Sequence, residues 1–99
     1  MEQLKPLSDF FTAIEHDGRI GIVHIAVYSA LLHYWKENGF SNPISAYSYQ
    51  IMEIAKISGH TTYHRSIRQL NEYGYIRYLP SFKRNKASEI YLKTSTNTG

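Results

Sequence analysis

Residues 61–73 concentrate side chains that can form hydrogen bonds with another molecule. Placed about 100° apart on a helical wheel, this stretch has an apolar arc, which includes Tyr63, Ile67 and Leu70, and an opposite polar arc. The polar side chains that could contact a partner there are Thr61, Thr62, His64, Arg65, Arg68 and Gln69. Arginine and glutamine can meet base edges in the major groove of DNA, and hydroxyls near a helix start can meet phosphates. The stretch therefore predicts a helix face that binds nucleic acid.

A second group of cations follows in residues 80–88, between two segments rich in Tyr, Ile and Leu. This loop contains Lys83, Arg84 and Lys86 and no acidic residue. Segments of that composition on either side of a polar loop favour a β-hairpin, so we expect two strands with a basic tip. Its cations could contact phosphates or the minor groove beside the helix.

The distribution of charge along the chain favours the same kind of partner. The net charge is +3 at pH 7, but residues 1–57 have a balance of −2 and residues 58–99 a balance of +5. This asymmetry favours a polyanion, and nucleic acid before a membrane, because no basic amphipathic helix with an exposed apolar face accompanies it.

Helical spacing of apolar residues predicts a central helix over residues 20–38, with apolar side chains on two sides. A helix that is apolar around most of its circumference is typically the central element of a small core. Gly39 suits a left-handed cap at its end. A shorter helix over residues 10–16 precedes it.

Two more helices are expected in close succession. Ile44 can form a one- or two-residue strand, and Ser45 is placed to cap a helix that ends near Ile57. Residues 58–60 leave room only for a tight turn before the polar helix, which stops at Gly74. The expected fold class is α+β, with three to four helices and a C-terminal two-stranded hairpin.

Length and composition limit what the chain can do. Its 99 residues can hold one domain, with flexible ends at residues 1–7 and 94–99. The chain has no cysteine, and no paired carboxylates, nucleophile elbow or phosphate-cradling glycine loop stands out. We therefore expect a protein that is not an enzyme and needs no cofactor or small-molecule ligand. Because neither a signal peptide nor an apolar run of roughly 20 residues is found, we expect a cytoplasmic protein and no membrane partner.

Residues 62–76, TYHRSIRQLNEYGYI, resemble the third helix of bacterial winged helix-turn-helix domains, whose usual pattern is T-V-x-R-A-L-x-x-L-x-x-x-G-L-I. The matching positions are Thr62, Arg65, Ile67, Leu70, Gly74 and Ile76. The resemblance covers residues from about Ile20 to Leu92. The chain is also similar to small regulatory or replication-associated proteins of bacterial mobile elements. The sequence departs from the usual family pattern in two places. The turn before the helix is shortened, and Tyr63 stands where a small aliphatic residue is common.

The resemblance implies a winged-helix domain that binds double-stranded DNA at specific sequences, as a transcriptional regulator or a mobile-element accessory factor. The residues it assigns to DNA are Thr61, Thr62, His64, Arg65, Arg68 and Gln69 in the helix and Lys83, Arg84 and Lys86 in the wing. Winged helices also serve as docking domains, so a protein-docking module in a replication or transcription assembly is the alternative function.

Several of these side chains have simpler alternative roles. Arg68 could form an ion pair with Glu72 one turn away. His60 and His64 could share a metal ion, although no third ligand is near them in the sequence. The tyrosines near the presumed DNA side are Tyr47, Tyr49 and Tyr63.

The sequence leaves open whether the chain forms a homodimer, because palindromic DNA sites usually need two protein copies. The aromatic residues that could supply its contact are Phe10, Trp35 and Phe40.

Overall fold

Four helices and three short strands make up residues 5–83 and 85–93, the part of the chain that the computed structural model describes. The elements in chain order are α1 (Lys5–Ala13), α2 (Ile22–Glu37), β1 (Ile44–Ala46), α3 (Ser48–Ala55), α4 (His60–Glu72), β2 (Ile76–Leu79) and β3 (Ser88–Leu92). The expected α+β class is thus confirmed. No helix in the described part has both the length and the apolar character needed to cross a membrane.

The sheet has three antiparallel strands in the order β1-β3-β2, so the expected two-stranded hairpin was incomplete. Ile44 lies opposite Ile90, and both side chains are buried. Asn42 ties the entrance of β1 to β3, because its side-chain amide donates to the carbonyl of Leu92 and accepts from the N–H of Leu92, both at 3.0 Å. The burial of Ile44 against Ile90 therefore favours the addition of β1 to the hairpin as a third strand.

The helix that Ser45 was expected to cap is capped two residues later, at Tyr47, and the strand β1 is the reason. The backbone of residues 44–46 pairs with β3 and is not available for a helix. The N-cap of α3 is Tyr47, whose backbone N–H donates to Oε1 of Gln50 at 2.8 Å. The helix also ends before Ile57, since Lys56 turns the chain with a φ of 63°.

The first helix begins at Lys5, so residues 5–7, which were expected to belong to a flexible arm, are helical. Proline is tolerated in the first turn of a helix, and Pro6 is buried there. Phe10 then stacks on Tyr28 of α2, with ring centroids 3.9 Å apart. The rest of the segments predicted to be flexible, residues 1–4 and 94–99, lies outside the described residues.

The core forms around α2, which contacts α1, α3, α4 and β1. This agrees with the central helix predicted over residues 20–38. Its Val27 and Leu31 are fully buried, together with Ile51 of α3 and Ile67 and Leu70 of α4. Burial of the apolar arc of α4 confirms the side of this helix that was predicted to face inward.

A polar network joins the turn before α2 to the segment after α4. The carboxylate of Asp17 accepts hydrogen bonds from Nε and Nη2 of Arg19, both at 2.8 Å, and from the hydroxyl of Tyr75 at 2.6 Å. The guanidinium of Arg19 also lies 4.0 Å from the ring centroid of Tyr73. The bonds from Arg19, and then that from Tyr75, hold the pKa of Asp17 well below its ordinary value of 3.8.

This network should make the stability of the fold depend on pH in the acidic range. A carboxylate with a lowered pKa in the folded state contributes stability above its unfolded pKa, and that contribution is lost as the pH falls through the folded pKa. We expect Asp17→Asn to lower the Tm at neutral pH, and the difference from wild type to shrink as the pH falls below 3.8. Thermal unfolding across pH, with the exposed Glu37→Gln as control, tests this. A difference that stays constant into strong acid would contradict it.

Candidate nucleic-acid interface

The orientation of α4 is set by the side chains it buries. Tyr63, Ser66, Ile67 and Leu70 are each at most 4% exposed, so the opposite side of the helix must face solvent. The helix ends where Gly74 takes a φ of +90°, a left-handed conformation that glycine adopts without strain.

Strand β2 is fixed relative to α4 by a bond between their ends. The amide oxygen of Asn71 in α4 accepts from the N–H of Tyr78 in β2 at 2.9 Å. Because β2 is paired with β3, this bond also positions the hairpin beside the helix.

The outer side of α4 carries a shallow open depression, which we call the α4 outer face. Its lining residues are His60, Thr61, His64, Arg65, Arg68 and Gln69. Five of these six were predicted as site residues, and the sixth predicted helix residue, Thr62, is exposed at the start of the same helix.

Arg65 and Arg68 are both exposed on this face. Among the described residues, no carboxylate lies within ion-pair distance of either guanidinium. The ion pair between Arg68 and Glu72 that their spacing allows therefore does not form. Both guanidinium groups keep their donors available to a partner.

The two histidines at the start of α4 interact with each other. Their rings stack with centroids 6.2 Å apart, and Nδ1 of His64 lies 2.9 Å from the carbonyl oxygen of His60. Since a carbonyl can only accept, Nδ1 of His64 carries the proton. Within the described ranges no group of three or more potential metal ligands exists, so the pair has no third ligand there.

A small cleft separates the loop between β2 and β3 from the starts of α3 and α4; we call it the loop cleft. Polar residues around it are Tyr47, Ser48, His64, Ser81, Lys83, Lys86 and Ser88. Tyr63 and Tyr78 also line it, and burial raises the pKa of Tyr63. Because His64 borders both the loop cleft and the α4 outer face, the two surfaces are continuous.

Local hydrogen bonds shape the loop that carries the lysines. The hydroxyl of Ser81 donates to the carbonyl of Lys83 and accepts from its N–H, both at 3.3 Å. Across the loop, the N–H of Ser81 donates to Oγ of Ser88 at 3.2 Å. The N–H of Lys86 donates to the carbonyl of Lys83 at 3.3 Å. Arg84, the third predicted cation of the loop, lies outside the described residues.

Gln69 differs from the other residues of the α4 outer face because it also bonds to the core. Nδ1 of His24 accepts from the backbone N–H of Gly21 at 2.9 Å, so the imidazole proton must be on Nε2. Nε2 lies 2.7 Å from Oε1 of Gln69 and donates to it. The side-chain carbonyl of Gln69 is thus engaged inside, and its amide nitrogen is the group left for an outside partner.

The structure therefore joins Lys83 and Lys86 to the helix residues predicted from the sequence. It adds His60, Tyr47 and Ser48, which were not assigned to DNA. Because the N-cap of α3 is Tyr47, and not Ser45 as expected, Tyr47 and Ser48 lie beside the loop.

The other two tyrosines predicted near the DNA side differ in exposure. Tyr49 is 62% exposed and its ring stacks on that of Tyr47, with centroids 5.8 Å apart. Tyr63 is buried, so its ring face is not open to a base.

Comparison with known protein families, with curated protein sequences and with solved structures found no match for this chain.

The bond from His24 to Gln69 predicts an effect on stability. Gln69→Leu removes the acceptor of a donor on a residue that is only 9% exposed, which should lower the free energy of unfolding by about 1–3 kcal/mol. Chemical denaturation measures this, with the exposed Glu72→Leu of the same helix as control. Long-range ¹H–¹⁵N correlation spectra should show the His24 proton on Nε2. A proton on Nδ1, or a fully stable variant, would contradict the assignment.

Proposed function

We propose that this chain is a winged-helix module that binds double-stranded DNA, with α4 in the major groove and the β2–β3 loop as the wing. One observation carries the proposal: the α4 outer face, with its two exposed arginines, continues through His64 into a cleft bordered by Lys83 and Lys86. The element order, with α3 and α4 joined by a short turn and followed by a hairpin, supports the same proposal.

The dimensions of α4 suit the major groove. Its 13 residues make a helix about 20 Å long, and the groove is about 12 Å wide, enough to admit one helix. Arg65 and Arg68 would read base edges, because a guanidinium can donate two parallel hydrogen bonds to O6 and N7 of guanine. Thr61 and Thr62, in the first turn, would bond to phosphates.

Gln69 would make a different contact from the usual one for glutamine. A free side-chain amide can pair with adenine through both its oxygen and its nitrogen. Here the oxygen bonds to His24, which leaves the amide nitrogen as a donor. We therefore propose that Gln69 contacts an acceptor, such as O6 or N7 of guanine or O4 of thymine.

The wing would supply affinity without reading sequence. Lys83 and Lys86 are exposed and lie across the loop cleft from the start of α4, where they would meet the phosphates beside the major groove. By the resemblance to winged helix-turn-helix domains, the biological role would be that of a transcriptional regulator or mobile-element accessory factor, without catalysis.

Removing the helix arginines should abolish selectivity. Fragments selected from random DNA by the wild-type protein provide the specific site. For Arg65→Ala with Arg68→Ala, we expect the preference for selected over scrambled duplex to fall by about 1–3 kcal/mol for each bidentate arginine–guanine pair that is removed. Fluorescence anisotropy on the two duplexes measures this preference.

Removing the loop lysines should act differently. Lys83→Ala with Lys86→Ala should weaken binding to both duplexes alike, and the slope of log K against log salt should fall by about one for each phosphate that is no longer neutralised. A salt titration measures the slope.

One control serves both double variants. Lys36→Ala with Lys93→Ala also removes two positive charges, but from exposed positions that line neither the α4 outer face nor the loop cleft. It should change binding less than either test pair does. Equal effects of all three pairs would mean that net charge alone governs binding, which would contradict the proposed geometry.

The alternative, a protein-docking module, is favoured by one specific observation. Ile22, at the start of α2, is 84% exposed, and Phe11 of α1 is 47% exposed. Where exposed apolar residues form one contiguous patch, that patch often belongs to a protein interface. A gel-shift series on random duplex at low salt distinguishes the two functions, since absence of binding at micromolar protein supports docking. Light scattering at several concentrations tests whether the chain forms a homodimer.

A further inference from the structure

The β2–β3 loop exposes an aromatic ring next to its lysines. Phe82 is 94% exposed, the highest value among the large apolar side chains of the described residues. Burying a phenylalanine side chain is favourable, so an exposed ring at this position is a ready contact for a partner. The adjacent Lys83 and the nearby Lys86 limit which partner that could be.

Phe82 does not line the loop cleft that adjoins α4. It borders a shallow pocket together with Leu79, Pro80, Ala87 and the acidic Glu89, and no residue of α4 lines that pocket. Lys83 and Lys86 line both this pocket and the loop cleft. Across the surface the order is therefore the α4 outer face, the two lysines, and then Phe82.

This order matches the surface of a DNA duplex. Next to the major groove runs a phosphate strand, and beyond that strand lies the minor groove. If α4 occupies the major groove and the lysines contact the phosphates, Phe82 is carried to the minor groove. Apolar side chains that enter a minor groove often wedge between base pairs and kink the duplex.

We propose that Phe82 is a wedge that inserts from the minor groove between two stacked base pairs, at a step flanking the site read by α4. The inference rests on the proposed function, since it needs α4 in the major groove. The hydrogen bonds of Ser81 to Lys83 and to Ser88 preorganise the loop, which reduces the entropy lost when the ring is inserted.

Two lysines, Lys83 and Lys86, outnumber the single carboxylate of Glu89 at the pocket beside Phe82, and this balance of charge favours DNA over other partners. The exposed apolar surface at the loop is small, with Leu79 at 39% exposure as its other large side chain, and a stable protein interface usually buries more than about 1,000 Å². Anionic lipid could also attract the lysines. However, lipid would leave the arginines of the α4 outer face, on the other side of the lysines, without a role.

The test compares variants at this position on a duplex that reports base unstacking. The probe is a mixed-sequence duplex with 2-aminopurine at flexible TA and CA steps and a donor and an acceptor dye at its ends. Wild-type protein should increase 2-aminopurine fluorescence and bend the duplex by tens of degrees, as other apolar wedges do. Phe82→Ala should lose both signals and bind about tenfold more weakly, the effect of removing one stacking aromatic ring.

Two further variants make the result specific. Phe82→Leu retains an apolar wedge and should keep most of the bend. Phe11→Ala removes a half-exposed phenylalanine from α1 and should behave as wild type on this probe. Circular dichroism checks that each variant is folded.

The possible failures are distinguishable. If wild-type protein binds no duplex, both the proposed function and the wedge fail. If Phe82→Ala binds, bends and unstacks DNA as wild type does, the wedge is overturned while DNA binding by α4 stands. If Phe82→Ala leaves DNA binding intact but loses binding to phosphatidylserine vesicles, the loop contacts lipid and the wedge is also overturned.

Discussion

Burial of the apolar arc of α4 against the core is the constraint on which the rest of the structure depends. Ile67 and Leu70 are fully buried, and a helix that fixes these positions has no freedom to rotate. Arg65 and Arg68 must then face solvent, because side chains on the opposite side of a helix cannot reach the same core. The chemistry of the α4 outer face is thus set by packing on its other side.

The second determinant is the position of the hairpin, which depends on contacts far apart in the chain. Two interactions hold the sheet against the helices: the pairing of β1 with β3, and the hydrogen bond that the N–H of Tyr78 in β2 donates to Asn71 of α4. As a result, the exposed Lys83 and Lys86 line the same cleft as His64. Helix and loop together form one surface, although they are separate segments of sequence.

Much of this arrangement could be predicted from local patterns. Periodicity identified the central helix and both sides of α4, since a buried arc repeats at helical spacing. A strand of one or two residues was expected at Ile44, but its place in the sheet and the true start of α3 could not be predicted, because they depend on pairing between Ile44 and Ile90, which no local signal reports. The hydrogen bond from His24 to Gln69 joins residues 45 positions apart, and no local pattern reports it. From the sequence alone, Gln69 could therefore be predicted only as an exposed residue of the polar arc.

The residues of the α4 outer face do not have equal structural roles. Arg65 and Arg68 are exposed and contact no carboxylate in the described ranges, so replacing either should change stability by no more than about 0.5 kcal/mol. Their solvent-facing donors are therefore available to a ligand at little cost to the fold. Gln69 instead satisfies a nearly buried imidazole, and the same bond orients its amide nitrogen. The core thus determines which group of Gln69 a partner can reach, whereas the side chains of the two arginines are not held in place by such a bond.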